Sequence, residues 1–175
     1  MSVRNSLLAL LDSQPMYGAQ LKAEFEARTG GQWPLNIGQV YTRLGRLERD
    51  GLVEGAGTPD ADGRIPYRLT DAGRAEVLGW WDQAVPRDVT PRNELAIKLA
   101  LAVTMPGVDV RAIVSAQRAA TLTHLRELNR SKPRRSFGET PPGVGADELV
   151  LESLIFADEA ELRWLDYVEE RLARS

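Results

Sequence analysis

Gln39, Thr42, Arg43 and Arg46 stand together in the stretch 36–50, Asn-Ile-Gly-Gln-Val-Tyr-Thr-Arg-Leu-Gly-Arg-Leu-Glu-Arg-Asp. Two permanent cations, an amide and a hydroxyl form a hydrogen-bonding set with no nucleophile-and-base pair in it. Such groups suit planar acceptors and phosphates, the chemistry of a nucleic-acid duplex. Arg43 and Arg46 can each address a guanine or a phosphate, Gln39 an adenine, and Thr42 a thymine methyl. Tyr41 fits a phosphate contact through its hydroxyl, with its ring against the edge of a core. The plain alternative is a solvated helix face with ordinary arginines.

These side chains need a rigid carrier, and the same stretch supplies one. Ile37, Val40, Leu44 and Leu47 recur at helical spacing and define an apolar back. Asn36 can cap the first turn, Gln39 can reach back to complete a capping box, and Gly51 can end the helix. Upstream, residues 3–12 read as a first helix with Val3, Leu7, Leu10 and Leu11 on its face, widened by Leu8. After Pro15, Tyr17, Leu21 and Phe25 mark a second helix that stops at Gly30-Gly31. Trp33-Pro34 falls in the turn before the third. Helix, turn and capped helix make a helix-turn-helix.

Downstream, Leu52-Val53-Glu54 and Ile65 to Leu69 read as two short strands joined by a turn-rich loop, so the unit is winged. Pro66 cannot donate to a ladder and is expected at an unpaired position. Arg64 and Arg68 could hold phosphates from this wing; bridging to neighbouring carboxylates is the equal alternative. Asp60 and Asp62 at its tip would repel phosphate. Thr70 can cap a fourth helix that begins with Asp71 and carries Val77, Trp80, Trp81 and Ala84. Adjacent residues lie about 100° apart on a helix. One of the two tryptophans is therefore expected to fill the junction between the halves, the other to line a pocket; plain packing of both is the alternative.

The expected linker is Pro86 to Thr90, with Thr90 as cap and Pro91 at the first position of the next helix. That helix runs through Leu95, Leu99 and Ala102, and a longer one from Val108 to Arg130 uses Val110, Ile113, Val114, Leu125 and Leu128. Residues 131–145 show no periodic pattern and read as a loop. Its basic run, Arg130 to Arg135, is read as solvated. The final helix, with Asp147 as its expected cap, has a broad apolar face. Leu151, Leu154, Ile155, Leu162 and Leu165 are expected to meet a second copy across a twofold axis, burial inside one bundle being the alternative. Two reading helices one DNA turn apart would select palindromic sites.

The fold class is therefore mainly α with a small β-hairpin: a winged helix-turn-helix over residues 1–85 and a helical dimerisation domain over 91–175. Zero cysteines exclude disulfides and thiolate metal sites, and a single histidine, His124, supports neither a histidine zinc site nor a Ser-His triad. His124 reads as a surface residue. No glycine-rich phosphate loop has the strand-loop-helix context it needs. No catalytic residue, metal or cofactor is assigned. The longest early apolar run, Leu7 to Leu11, is too short for a signal-peptide core or a membrane span, so a cytoplasmic protein is expected. Net charge is −3, and residues 1–85 hold nine Lys/Arg against eleven Asp/Glu. Any affinity for DNA must then come from locally placed arginines and fall with salt. That balance also keeps open a winged helix that docks a protein partner instead.

The residues resemble the PadR-like transcriptional regulators. The similarity runs through Leu8-Ala9-Leu10-Leu11, Pro15-Met16-Tyr17-Gly18, Gly38-Gln39-Val40-Tyr41 and Leu44-Gly45-Arg46-Leu47-Glu48. It continues in Gly51-Leu52-Val53, Tyr67-Arg68-Leu69-Thr70 and Ala72-Gly73-Arg74. The remaining half is similar, in helix number and length, to the longer subfamily with an all-helical dimerisation domain. The resemblance implies a homodimer on double-stranded DNA at a pseudo-palindromic operator. It also implies a repressor released by a phenolic or drug-like effector, for which Trp80 and Trp81 are the candidate pocket. Two departures alter the expected readout. The family commonly has Ser-Pro-Gly at the start of the reading helix and Pro after its tyrosine; here stand Asn36-Ile37-Gly38 and Thr42. The base preference of relatives therefore does not transfer.

Overall fold

The computed structural model describes residues 2–59, 63–86, 93–132 and 145–174. They belong to two compact units, Met1–Pro86 and Arg87–Ser175. In element order the chain runs α1 (Ser2–Leu11), α2 (Gly18–Arg28), α3 (Ile37–Arg49), β1 (Val53–Gly55), β2 (Tyr67–Leu69), α4 (Asp71–Asp82), α5 (Glu94–Ala102), α6 (Val110–Ser131) and α7 (Ala146–Ala173). This is a mainly α protein with one two-stranded antiparallel sheet. Asp60, Asp62, Thr90, Pro91 and most of the segment 131–145 lie outside the described residues.

In the N-terminal unit α1 is the central element. Leu7, Leu8, Leu10 and Leu11 are all buried, so α1 is apolar around most of its circumference and packs on α2, α4 and β2 together. Leu21 and Phe25 of α2, Val40, Leu44 and Leu47 of α3, Val53, Leu69 and Val77 close the core around it. Loss of one fully buried leucine here would cost about 2–5 kcal/mol.

The strands pair Val53 with Leu69, Glu54 with Arg68 and Gly55 with Tyr67. Ile65 and Pro66 stay outside the strand, and the Pro66 carbonyl accepts from the Ala56 amide at 2.7 Å. One feature has no counterpart in the sequence pattern. Met16 forms a bridge to Tyr67, through Met16 N–H to the Tyr67 carbonyl at 3.0 Å and Tyr67 N–H to the Met16 carbonyl at 2.9 Å. This third strand-like segment ties the start of the helix-turn-helix to the wing.

Apart from shifts of one or two residues in α1 and α6, helix limits differ from expectation in three places. α4 stops at Asp82, leaving Ala84 beyond it. α5 begins at Glu94 with Asn93 as cap, its side chain accepting from the Ala96 amide at 3.0 Å. α7 begins at Ala146 with Gly145 at the cap position, and Asp147 lies inside the first turn, where a carboxylate faces the positive end of the helix. In the C-terminal unit α6 and α7 form a long pair with two apolar clusters. One joins Leu165 to Leu99 and Val114; the other joins Leu151 and Ile155 to Leu128. Thr121, the one buried polar residue among those described, donates to Glu161 across this pair at 2.6 Å.

Candidate nucleic-acid interface

α3 is held firmly at both ends. Asn36 Oδ1 accepts from the amides of Gly38 at 2.8 Å and Gln39 at 3.3 Å. The Gln39 side chain makes no return bond to Asn36, so only half of the expected capping box forms; a Gln return bond instead occurs at α2, where Gln20 accepts from the Tyr17 amide at 2.9 Å. At the far end Gly51 takes φ +73°. Its amide donates to the Glu48 carbonyl and that of Leu52 to the Leu47 carbonyl, both at 2.9 Å. This is the paired closure that a left-handed glycine permits.

α2 is clamped to α3 and to the turn before it as well. Gly18, at the start of α2, lies under the Tyr41 ring so closely that a Cβ there would be 2.7 Å from a ring carbon. Glu26 of α2 reaches across the turn and accepts from the Leu35 amide at 2.8 Å, while Lys22 donates to it at 2.7 Å. The Lys22 ammonium first, and the Leu35 amide second, hold the Glu26 carboxyl below the ordinary carboxylate range. A carboxyl whose pKa is lowered on folding stabilises the fold above its unfolded value of about 4.3, and that support is lost as pH falls through the folded value. Thermal unfolding of Glu26→Gln should accordingly show a smaller loss of midpoint between neutral pH and this acidic window than the parent chain; equal losses would assign no such role to Glu26.

With α3 fixed, its outward face is defined. Val40, Leu44 and Leu47 are buried, whereas Ile37, expected on the same stripe, is 40% exposed at the first turn, before α3 is fully covered by its neighbours. Opposite the buried stripe run Gly38, Thr42, Gly45 and Arg49, flanked by Gln39 and Arg46, all exposed. Arg43 is half-buried at the core edge. Thr42 donates its hydroxyl to the Gly38 carbonyl at 2.8 Å, which leaves its methyl as the outward group. Among the described residues Arg43 and Arg46 make no ion pair, and Arg49 has only a loose one, 3.9 Å to Asp50. Arg49 is the cation that the reading of the sequence passed over, although its spacing from Thr42 and Gly45 marks it.

The wing differs. Arg68 lies opposite Glu54 in the ladder, and its Nε and Nη2 both reach Glu54 Oε1 at 2.8 Å. The carboxylate-bridging alternative therefore describes Arg68 in the DNA-free chain. Arg64 is exposed and also engaged in an interaction.

Trp80 and Trp81 do not diverge. Their ring centroids are 4.5 Å apart at an interplanar angle of 39°, and both line one concavity of about 200 Å³ with Ser6, Ala9, Leu10, Phe25, Arg28 and Thr29. The helical angle separates their Cβ atoms, but long side chains can lean back together. This concavity lies wholly within the N-terminal unit, among α1, α2 and α4.

The five residues expected to meet a second copy all lie on the side of α7 turned to α6. Leu151, Ile155 and Leu165 are buried there, and Leu154 and Leu162 are half-buried. α7 has a second apolar line on its opposite side, Leu149, Phe156 and Tyr167, each more than half exposed. His124 is exposed and pairs through Nδ1 with Asp158 Oδ2 at 2.7 Å. Among the described residues no group of acids and histidine could hold a metal, and no helix is long and apolar enough to cross a membrane.

Residues 7–78 match the model of the transcriptional regulator PadR-like family, and residues 91–173 match that of the virulence activator alpha C-terminal domain. A probable transcriptional regulator of Mycobacterium tuberculosis, Rv1176c, is 27% identical over 188 residues, covering 98% of each chain. Among solved structures, Bacillus subtilis PadR in complex with operator DNA is 20% identical with a TM-score of 0.69, covering 96% of this chain and 97% of that one. The same protein in complex with p-coumaric acid gives 20% and 0.70, covering 96% of each. The Vibrio cholerae virulence activator AphA gives 20% and 0.70, covering 98% of each. These structural likenesses show the fold, a winged helix-turn-helix with a helical C-terminal part. The two matches together span nearly the whole chain: the N-terminal unit matches the PadR-like family of transcriptional regulators and the C-terminal unit the virulence activator alpha C-terminal domain.

Proposed function

We propose that this regulator works as a cytoplasmic homodimer that places one α3 per copy in successive major grooves of a pseudo-palindromic operator, and that it represses transcription until a small aromatic effector releases it. The observation that carries the DNA half is α3 itself. It is capped, closed by Gly51 and braced by Glu26 and Tyr41, and it turns Gln39, Thr42, Arg46 and Arg49 outward, with Arg46 unpaired among the described residues. A helix fixed in this way presents side chains to base edges with little ordering cost left for binding. Asn36, Tyr41 and Arg43 serve the flanks as phosphate contacts. Arg64 and Arg68 of the wing contribute only when a phosphate replaces their present partners.

The dimer is assigned to the exposed line Leu149, Phe156 and Tyr167, since the residues first expected there are already occupied by α6. The effector is assigned to the concavity at Trp80 and Trp81. Two adjoining indoles, tilted at 39°, suit a flat ring, and Arg28 beside them suits a carboxylate. The related B. subtilis protein in complex with p-coumaric acid fits that chemistry. Phe25, Arg28 and Thr29 of the concavity flank Glu26, whose carboxylate holds Leu35 just before α3. A ligand that favours one placement of the end of α2 would thereby favour one placement of α3.

The test is a mobility-shift titration on the DNA upstream of the chain's own gene, at low salt, with and without an aromatic carboxylic acid. A sequence-specific complex that dissolves on adding the acid is expected. The acidic balance of residues 1–85 supports a second reading, a winged helix that docks a protein partner. No specific complex under any of these conditions would favour it.

A further inference from the structure

Gly45 sits in the middle of α3, where no described residue calls for a glycine. It is absent from the glycines with positive φ, and a Cβ added to it would meet nothing within 4 Å. Glycine is among the least favourable residues in a helix interior. Other glycines of this unit have local reasons: Gly18 lies under the Tyr41 ring, Gly73 against the Leu52 carbonyl, and Gly38 would place a Cβ 3.1 Å from the capping oxygen of Asn36. Gly45 has none. It lies on the outermost line of α3, one turn beyond Thr42, and it is exposed.

Thr42 adds an independent constraint. Its side chain is short and its hydroxyl is bonded back to Gly38. Its methyl can touch a base only if the backbone of α3 comes very close to the floor of the groove. Any side chain at position 45 would strike the duplex first. We infer that Gly45 is a specificity-determining position: its missing side chain sets the depth at which α3 seats in the major groove and so brings Thr42 and Arg46 within reach of the bases. This rests on the reading of α3 as the DNA-reading helix.

The test uses the full chain and a duplex that the parent chain itself retains from a random-sequence pool. Gly79, in α4, supplies the control, because a Cβ there also meets nothing within 4 Å. Both Gly45→Ala and Gly79→Ala should raise the thermal midpoint by a few degrees. Only Gly45→Ala should weaken binding to the selected duplex, by about tenfold. Unchanged affinity in Gly45→Ala would overturn the inference, as would an equal loss in Gly79→Ala or a lowered midpoint in Gly45→Ala. If the parent chain retains no duplex at all, the DNA reading itself fails and the inference falls with it.

Discussion

Gly73→Ala is expected to lower the unfolding midpoint of the N-terminal unit by roughly 10–20 °C. A Cβ at this position would stand 2.0 Å from the Leu52 carbonyl oxygen and 3.0 Å from its carbon. The obstacle is backbone, so no side-chain rotation relieves it. That carbonyl is also fixed, because it accepts from the Thr70 amide at 3.1 Å. Thr70 in turn donates its hydroxyl to the Gly51 carbonyl at 2.7 Å and accepts from the Gly73 amide at 3.1 Å. The close approach of α4 therefore locks the exit of α3 to the entry of α4 through one threonine. Overpacking typically costs about 1–3 kcal/mol, and a rigid obstacle puts this case at the upper end. Thermal unfolding followed by circular dichroism checks it; an unchanged midpoint would mean that α4 does not sit this close to Leu52.

Arg46→Ala is expected to cost roughly 1–3 kcal/mol in binding to the preferred duplex, with a much smaller change on random DNA and an unaltered fold. Arg46 is exposed on the outward flank of α3 and has no competing carboxylate among the described residues, so its removal strands no partner there. Arg43 is half-buried, and its proposed role is a phosphate contact. Arg43→Ala should accordingly weaken selected and random duplexes alike, and lower the dependence of log affinity on log salt by about one phosphate contact. Equal losses for Arg46→Ala on both duplexes would reassign it to phosphate. Titrations at two salt concentrations separate these outcomes.

The cap, the buried stripe and the stop of α3 are legible in the sequence, because those three devices are local. Asn36, the spacing of Val40, Leu44 and Leu47, and Gly51 each act within a turn or two of the helix they define. The strand pair was also legible, since the short segments Leu52-Val53-Glu54 and Ile65 to Leu69 stand on either side of a turn-rich loop. Long-range backbone pairing is different. The Met16–Tyr67 bridge depends on main-chain amides, which no residue type advertises, and Glu26 meets Leu35 only because the turn between them folds back. The two tryptophans were separated by counting helical angles, which place Cβ atoms but not the ends of long side chains. α7 is harder to read for another reason: it has two apolar sides, and the denser one, expected to meet a second copy, packs toward α6 of the same chain. A run of apolar residues states that something must be buried, not which neighbour buries it.

The outward side chains of α3 are the groups proposed to read DNA, and the most direct measurement reads what they select. The full chain is incubated with a pool of random double-stranded DNA at low salt, and the retained duplexes are sequenced over successive rounds. Enrichment of an inverted repeat is predicted, with half-site centres about one helical turn apart or a multiple of it. A pool that stays random, with no duplex retained above background, would contradict the assignment of α3 as a helix that reads DNA.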